Sequence, residues 1–281
     1  MDFRRAFRSL AFVTIALVLA SDGRAAGPRE MYVVSGASVS LGSTPAESWK
    51  GVSPPGVDFE ITTGAARPTI GKKRLVPVAF KRAVPGTRFA NAFDTDLGVE
   101  VAKIAFDPIV IESAPATELN GFTTLRPGSV KPGSVTFTTA RPAPAIREWM
   151  RGVLAGTSAA RDVTVNVKSA TGGVVRTIVL KRSLPMAYSG DPSAMQLVVR
   201  PEMIEVRGPA SAAWIEWYRA SLPGSATRRD IRILYSSAPT TPVLLKNAFL
   251  TEIRLGNLDG ATEQQLDEIF VVQPDLVEPM P

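Results

Sequence analysis

EWMRGVLAGTSAARD, residues 148–162, set over EWYRASLPGSATRRD, residues 216–230, decides how this chain is read. At a fixed offset of 68 the two stretches share Glu, Trp, Arg, Leu, Gly, Arg and Asp without a gap, seven identities in fifteen positions. Self-similarity of this kind marks a duplicated supersecondary unit. Inside the first stretch, Ile146, Trp149, Met150, Val153 and Leu154 fall at i, i+3, i+4, i+7 and i+8, one apolar face of a helix. The second keeps that stripe with Trp214, Trp217, Tyr218 and Leu222 and breaks it once at Ser221. Gly156 and Gly224 follow the last apolar residue of each helix, where a left-handed C-terminal cap is expected.

The match widens in both directions. LKRSLP (180–185) answers LKNAFL (245–250), and VVRPEMIEV (198–206) answers VVQPDLVEP (271–279). PGSVTF (132–137) is a weaker third version of the last pattern, and FKRAVP (80–85) hints at a further fragment. Each copy therefore reads as a short opening strand (PGSVTF or PEMIEV), a helix, a strand, a turn and a return strand. In RDVTVNVK, Val163, Val165 and Val167 alternate with polar residues, the period of a half-buried strand. DIRILY does so less strictly with Ile231, Ile233 and Tyr235. Thr171-Gly172-Gly173 and Pro239-Thr240-Thr241 supply the turns into VVRTIVLKR and VLLKNAF. Thr262 with Gln265 forms a capping box before a last strand, IFVVQP.

The expected fold is mainly β (α+β), with tandem antiparallel barrel or sandwich units, each carrying one amphipathic helix packed on its sheet. The expected boundaries are 1–25, a signal peptide; 26–97, an N-terminal β and loop region with strands near 31–35 and 57–62; 98–202, the first copy; and 203–281, the second. Arg4, Arg5 and Arg8 precede an eleven-residue apolar run, Leu10 to Ala20, and small residues at Gly23 and Ala25 suit cleavage after Ala25. Eleven apolar residues are too few to span a bilayer, which takes roughly 20. The expectation is export to the periplasm or beyond, with no membrane span in the mature chain. A start at Met31 would instead keep the protein in the cytoplasm or a virion.

Composition narrows the chemistry. The chain has 281 residues with neither cysteine nor histidine. That excludes disulfides, thiolate nucleophiles, cysteine or histidine metal ligands and every Ser-His-Asp arrangement. Removal of residues 1–25, with four arginines and two aspartates, would lower the net charge from +6 to +4. Gly71-Lys72-Lys73-Arg74 and Lys81-Arg82 are the densest basic runs, and neither has the interleaved aromatics of a single-strand nucleic-acid platform. No specific nucleic-acid binding is expected.

Paired carboxylates remain. Asp94 with Asp96, and Asp259 with Glu263, faintly resemble calcium loops but lack the regular oxygen spacing of one; turn formation explains them better. Asp162 and Asp230 recur after an arginine, which suits a repeated structural turn or ion pair. No nucleophile elbow and no phosphate-cradling loop occurs. The residues therefore nominate no catalytic, cofactor or metal site, and a hydrolase using carboxylates alone ranks last among the readings. Trp149 and Trp217 are expected as core anchors, whereas Trp214, which has no tryptophan counterpart, could reach a partner chain.

The order of strand, Trp-bearing helix, glycine, Arg-Asp strand and hairpin resembles the tail tube proteins of contractile-tailed phages and related injection systems. The residues that carry the resemblance are Glu216-Trp217, Gly224, Arg229-Asp230 and Asn247-Ala248, and, in the first copy, Glu148-Trp149, Gly156 and Arg161-Asp162 after LNGFTTLRPG (119–128). The resemblance covers about 98–281. It implies small β-barrels flanked by a helix, and a non-enzymatic protein that assembles with copies of itself into rings or tubes. The alternative reading is an exported β-sandwich that binds a protein or glycan through its loops.

Overall fold

The computed structural model describes residues 34–62, 69–84, 93–139, 141, 143–191, 194–208, 212–222, 227–236, 241–261 and 265–280. The expected signal segment, Gly224, most of the Pro239 turn and Thr262 lie outside them. In chain order the strands are β1 (Val34–Leu41), β2 (Glu47–Val52), β3 (Val57–Thr62), β4 (Thr69–Leu75), β5 (Val78–Ala83), β6 (Phe93–Thr95), β7 (Val101–Phe106), β8 (Ile109–Leu119), β9 (Phe122–Lys131) and β10 (Val135–Thr139). After helix α1 (Pro144–Leu154) come β11 (Arg161–Lys168), β12 (Val174–Asp191), β13 (Ala194–Arg200) and β14 (Met203–Arg207). Helix α2 (Ala212–Ser221) then leads to β15 (Arg229–Tyr235), β16 (Val243–Arg254), β17 (Leu258–Asp259), β18 (Asp267–Gln273) and β19 (Leu276–Pro279). The protein is mainly β, in two sheets that are antiparallel except where β4 meets β9 in parallel, with two helices among the described residues, in keeping with the sequence pattern.

One sheet closes on itself. Antiparallel pairing runs β15-β1-β2-β5-β18-β16 and returns from β16 to β15, a six-stranded ring. Its narrowest seam is β2–β5, with two residue pairs. From β16 the sheet continues outward through β8, β9, β4 and β3. The other sheet follows β7-β10-β13-β12-β11-β6, with β17 outside β7 and β14 along β12. Its two ends, β6 and β7, are consecutive in the chain and joined by residues 96–100 alone. Six strands laid flat span about 24 Å and this connection reaches about 20 Å, so the sheet curves round towards an open ring, with β6 and β7 unpaired to each other among the described residues.

The two rings correspond strand for strand: β6, β7, β10, β11, β12 and β13 take the places of β1, β2, β5, β15, β16 and β18. The first three strands of the closed ring come from the N-terminal region that the sequence pattern left hardest to place. The first unit, 93–207, thus sits in the chain between the two parts of the second. FKRAVP falls in β5, which occupies the position of β10 rather than that of the LKRSLP strand it resembles. The two expected opening strands also differ. β10 pairs on both sides inside its ring, whereas β14 pairs along β12 of the first unit, as β19 does along β16 of the second.

Alternation puts Val163, Val165 and Val167 of β11 and Ile231 and Ile233 of β15 into the core at 1% exposure or less. α1 begins at Pro144, whose missing N–H costs nothing in a first turn, and ends before Gly156 at φ +68°. Its apolar face is shorter than the spacing predicts. Ile146 and Trp149 are buried, Met150 and Val153 half-buried, and Leu154 is 82% exposed. The helix stops there and its last turn overhangs the sheet. α2 buries Trp214, Ile215, Trp217 and Tyr218 completely, and Ser221 satisfies itself by donating to the Trp217 carbonyl.

Candidate functional site

The recurrent aspartates take the role of bulge clamps. β11 pairs with β12 through Arg161↔Ser183 and Val163↔Leu180, leaving one extra residue on β12. β15 pairs with β16 through Arg229↔Ala248 and Ile231↔Leu245, the same irregularity 65 residues further along β16. Arg182 and Asn247 occupy these bulges at φ 48° and 51°, a region that non-glycine residues rarely enter. In each case the aspartate of Arg-Asp accepts the strained residue's N–H: Arg182 N to Asp162 Oδ1 and Asn247 N to Asp230 Oδ1, both 2.9 Å. A second shared bulge follows. Pro185 and Ala187 face adjacent residues of β13 with Met186 left over, and Leu250 and Glu252 face adjacent residues of β18 with Thr251 left over.

The Asp162 carboxyl is held below the usual carboxylate range by Lys181 and by the Arg182 N–H. The expected calcium-loop residues are likewise engaged within the sheets. Asp94 pairs with Lys168 at 2.6 Å and accepts from Asn166, which lowers its pKa, and Asp96 accepts the Thr164 N–H at 2.8 Å. Asp259 pairs with Lys103 and accepts the Ala261 N–H, with the same lowering, while Glu263 lies outside the described residues. Among the described residues no group of three or more acidic side chains is placed to hold a metal ion.

The two units meet through buried charge, which the sequence pattern did not nominate. Glu268 of β18 is fully buried; Arg82 Nε of β5 donates to it at 2.6 Å and Arg176 Nη1 of β12 at 2.5 Å. Arg82 also reaches Glu47 at 3.0 Å and stacks over Trp49 and Phe270 at 4.7 and 5.0 Å. Burial lowers the Arg82 pKa, and the two glutamates oppose that shift. Only the run Lys81-Arg82 signalled anything here, and a basic pair in a strand usually reads as a solvated face.

Trp214 is the other displaced expectation. At 1% exposure it lies 4.7 to 5.5 Å from the rings of Trp49, Phe80, Phe270 and Trp217, so it is a core residue of the closed ring and not a contact for another chain. Trp217 donates its indole N–H to the Thr227 carbonyl, whereas Trp149 is covered by the Arg161 guanidinium at 4.0 Å.

What remains exposed is sheet edge. β3, β6, β14, β17 and β19 each pair on one side among the described residues. An open groove of about 320 Å³ borders β12, lined by Val130, Lys131, Leu184, Met186, Arg200 and Pro201. No helix of the described residues is long and apolar enough to cross a membrane.

No family model and no curated relative matches the sequence. Among solved structures, the chain is similar to the tube-terminating cap of the anti-feeding prophage, at 15% identity over 44% of this chain and 91% of that one, TM-score 0.37. It is similar to a chain of the sheath–tube complex of an extracellular contractile injection system at 13% identity over 44% and 91%, TM-score 0.37. The sheath/tube terminator of such a system matches at 11% identity over 66% of this chain and all of that one, TM-score 0.32. All three matches are to chains from contractile injection systems, at TM-scores below 0.4.

Proposed function

We propose that this chain is a non-enzymatic structural protein of the tail-tube type that assembles with copies of itself, and that its two units arose by duplication. The observation that carries the reading is the pair of equivalent open edges. Among the described residues, β14 on the first unit and β19 on the second each pair on one side only, at the same place in the shared register. A lone protein normally blunts such edges, and repeated ones suit a protein that meets identical neighbours. The charged groups add support, since the recurrent aspartates clamp bulges and the buried carboxylate is saturated by arginine. The shared registers support duplication, and the 7-in-15 identity at offset 68 points the same way. The division into units follows the strand pairing, with residues 93–207 as one and residues 34–84 with 212–279 as the other.

Sedimentation velocity and electron microscopy test this. Concentration-dependent closed rings or short tubes are the expected result, and a chain that stays monomeric at high concentration overturns it. Export with cleavage after Ala25 belongs to the same proposal, and N-terminal sequencing of the mature protein should then begin at Ala26.

A further inference from the structure

We infer that the outer half of β12, residues Leu184–Asp191, is a docking edge for the β3–β4 hairpin of a second copy of this chain, an inference that rests on the self-assembly proposed above and gives it a location. It comes from placing β12 on β16 by their shared bulges, at an offset of 65. In the second unit, the outer half of β16 pairs with β18 on one side and with β8 on the other, through Glu252↔Val110 and Ile253↔Ile109. In the first unit, the outer half of β12 pairs with β13 on one side, and no described strand takes the other.

The side chains follow the same division. Phe249 is fully buried in the second unit, beneath the Arg228 guanidinium at 5.1 Å. Arg228 in turn donates to the Leu125 carbonyl of β9 at 2.8 Å and to Asp275, tying the β8–β9 hairpin over that ring. The counterpart of Phe249 is Leu184, which is 39% exposed, and that of Thr251 is Met186, which is 55% exposed. At the place of Arg228 the first unit has Ala160, which cannot make such a tie. The groove lined by Leu184, Met186, Val130 and Arg200 thus lies open where, in the second unit, Phe249 is covered by Arg228.

The occupant follows from the strand correspondence. The β8–β9 hairpin connects β7 to β10, and its equivalent connects β2 to β5, which is β3–β4. Among the described residues β3 pairs with β4 alone, which leaves its outer edge to a partner. Within one chain that hairpin is held against β9 through Lys73↔Phe122, in the sheet that runs out from β16 and not in the sheet of β12. A second copy must therefore supply it. Each copy then carries one donor hairpin and one acceptor edge, a head-to-tail contact that closes into rings or runs on as a filament.

Met186→Glu and Leu184→Glu alter exposed residues and should leave the monomer folded while weakening association about tenfold or more, read by sedimentation equilibrium. Leu154→Glu, on the overhanging turn of α1, is the matched control and should assemble as the unaltered chain does. Because the protein has no cysteine, Val57→Cys and Ala187→Cys chains, mixed, should be joined by a short bis-maleimide, while neither alone should be. If the unaltered chain assembles and Met186→Glu assembles equally well, the docking edge is overturned and self-assembly stands. If the unaltered chain never assembles, both fall.

Discussion

The two units share their strand registers down to two bulges, yet they bury their helices very differently. In the second unit Trp214, Trp217 and Tyr218 of α2 are at 1% exposure or less. In the first, the counterparts Ile146 and Trp149 are buried, Met150 is half-buried, and the helix ends in an exposed Leu154. The difference traces to the strands each ring recruits. β2, β5 and β18 bring Trp49, Phe80 and Phe270 to meet Trp214, an aromatic cluster worth more than its buried area alone. The lesson is that the bulge and its aspartate are what the shared motif specifies, while helix burial depends on what each ring places beneath.

The sharpest way to break this comparison is at the junction. Glu268→Ala would leave Arg176 buried without a carboxylate and Arg82 with Glu47 alone, at a cost of about 3–5 kcal/mol in chemical denaturation. Replacing all three with apolar residues of similar volume should restore much of that loss. An unchanged midpoint for Glu268→Ala would mean the units are not joined through this charge. Next in size, Trp214→Ala should cost about 3–5 kcal/mol, and Trp149→Ala clearly less, because Trp149 lies at the rim under Arg161. Equal losses would erase the asymmetry between the helices.

Alkaline pH should also separate the units. Burial raises the Tyr218 phenol well above its ordinary value and Tyr235 to about 12, and both belong to the second unit. The unfolded chain releases these protons near pH 10, so stability falls as pH rises from there towards the folded values. Hydrogen exchange should show the second unit opening first above pH 10, and simultaneous opening would contradict this. On the acid side, the depressed Asp162 carboxyl adds stability that is present above its unfolded value near pH 4 and is lost as pH falls through the folded one. Asp162→Asn should remove that acid-side dependence. The smallest effect expected is Leu154→Ala, within about 0.5 kcal/mol, since its side chain faces solvent.

Local signals were legible wherever a residue's neighbours in sequence decide its conformation. The alternating valines of β11, the glycine after α1 and the tight turn at Gly172, at φ +84°, all behave as their spacing predicts. Asp162 and Asp230 were visible as a repeated pair, but their role needed the strand they face. Trp214 reads as a helix residue with excess apolar surface, and nothing near it in sequence announces Trp49, 165 positions earlier. Glu268 and Arg176 were invisible for the same reason, since each is an ordinary charged residue until a distant strand is laid against it.

By itself, then, the amino-acid sequence determined the β-rich class, the two helices, the alternating strand that follows each of them and the loss of all cysteine and histidine chemistry, because these depend on periodicity and residue type. Only the tertiary structure decided that the N-terminal strands complete the second ring, that the first unit is enclosed by the halves of the second, and that one strand edge is covered while its equivalent lies open. Those facts are pairings between residues far apart in the chain, and hydrogen-bond register across such distances leaves no local trace.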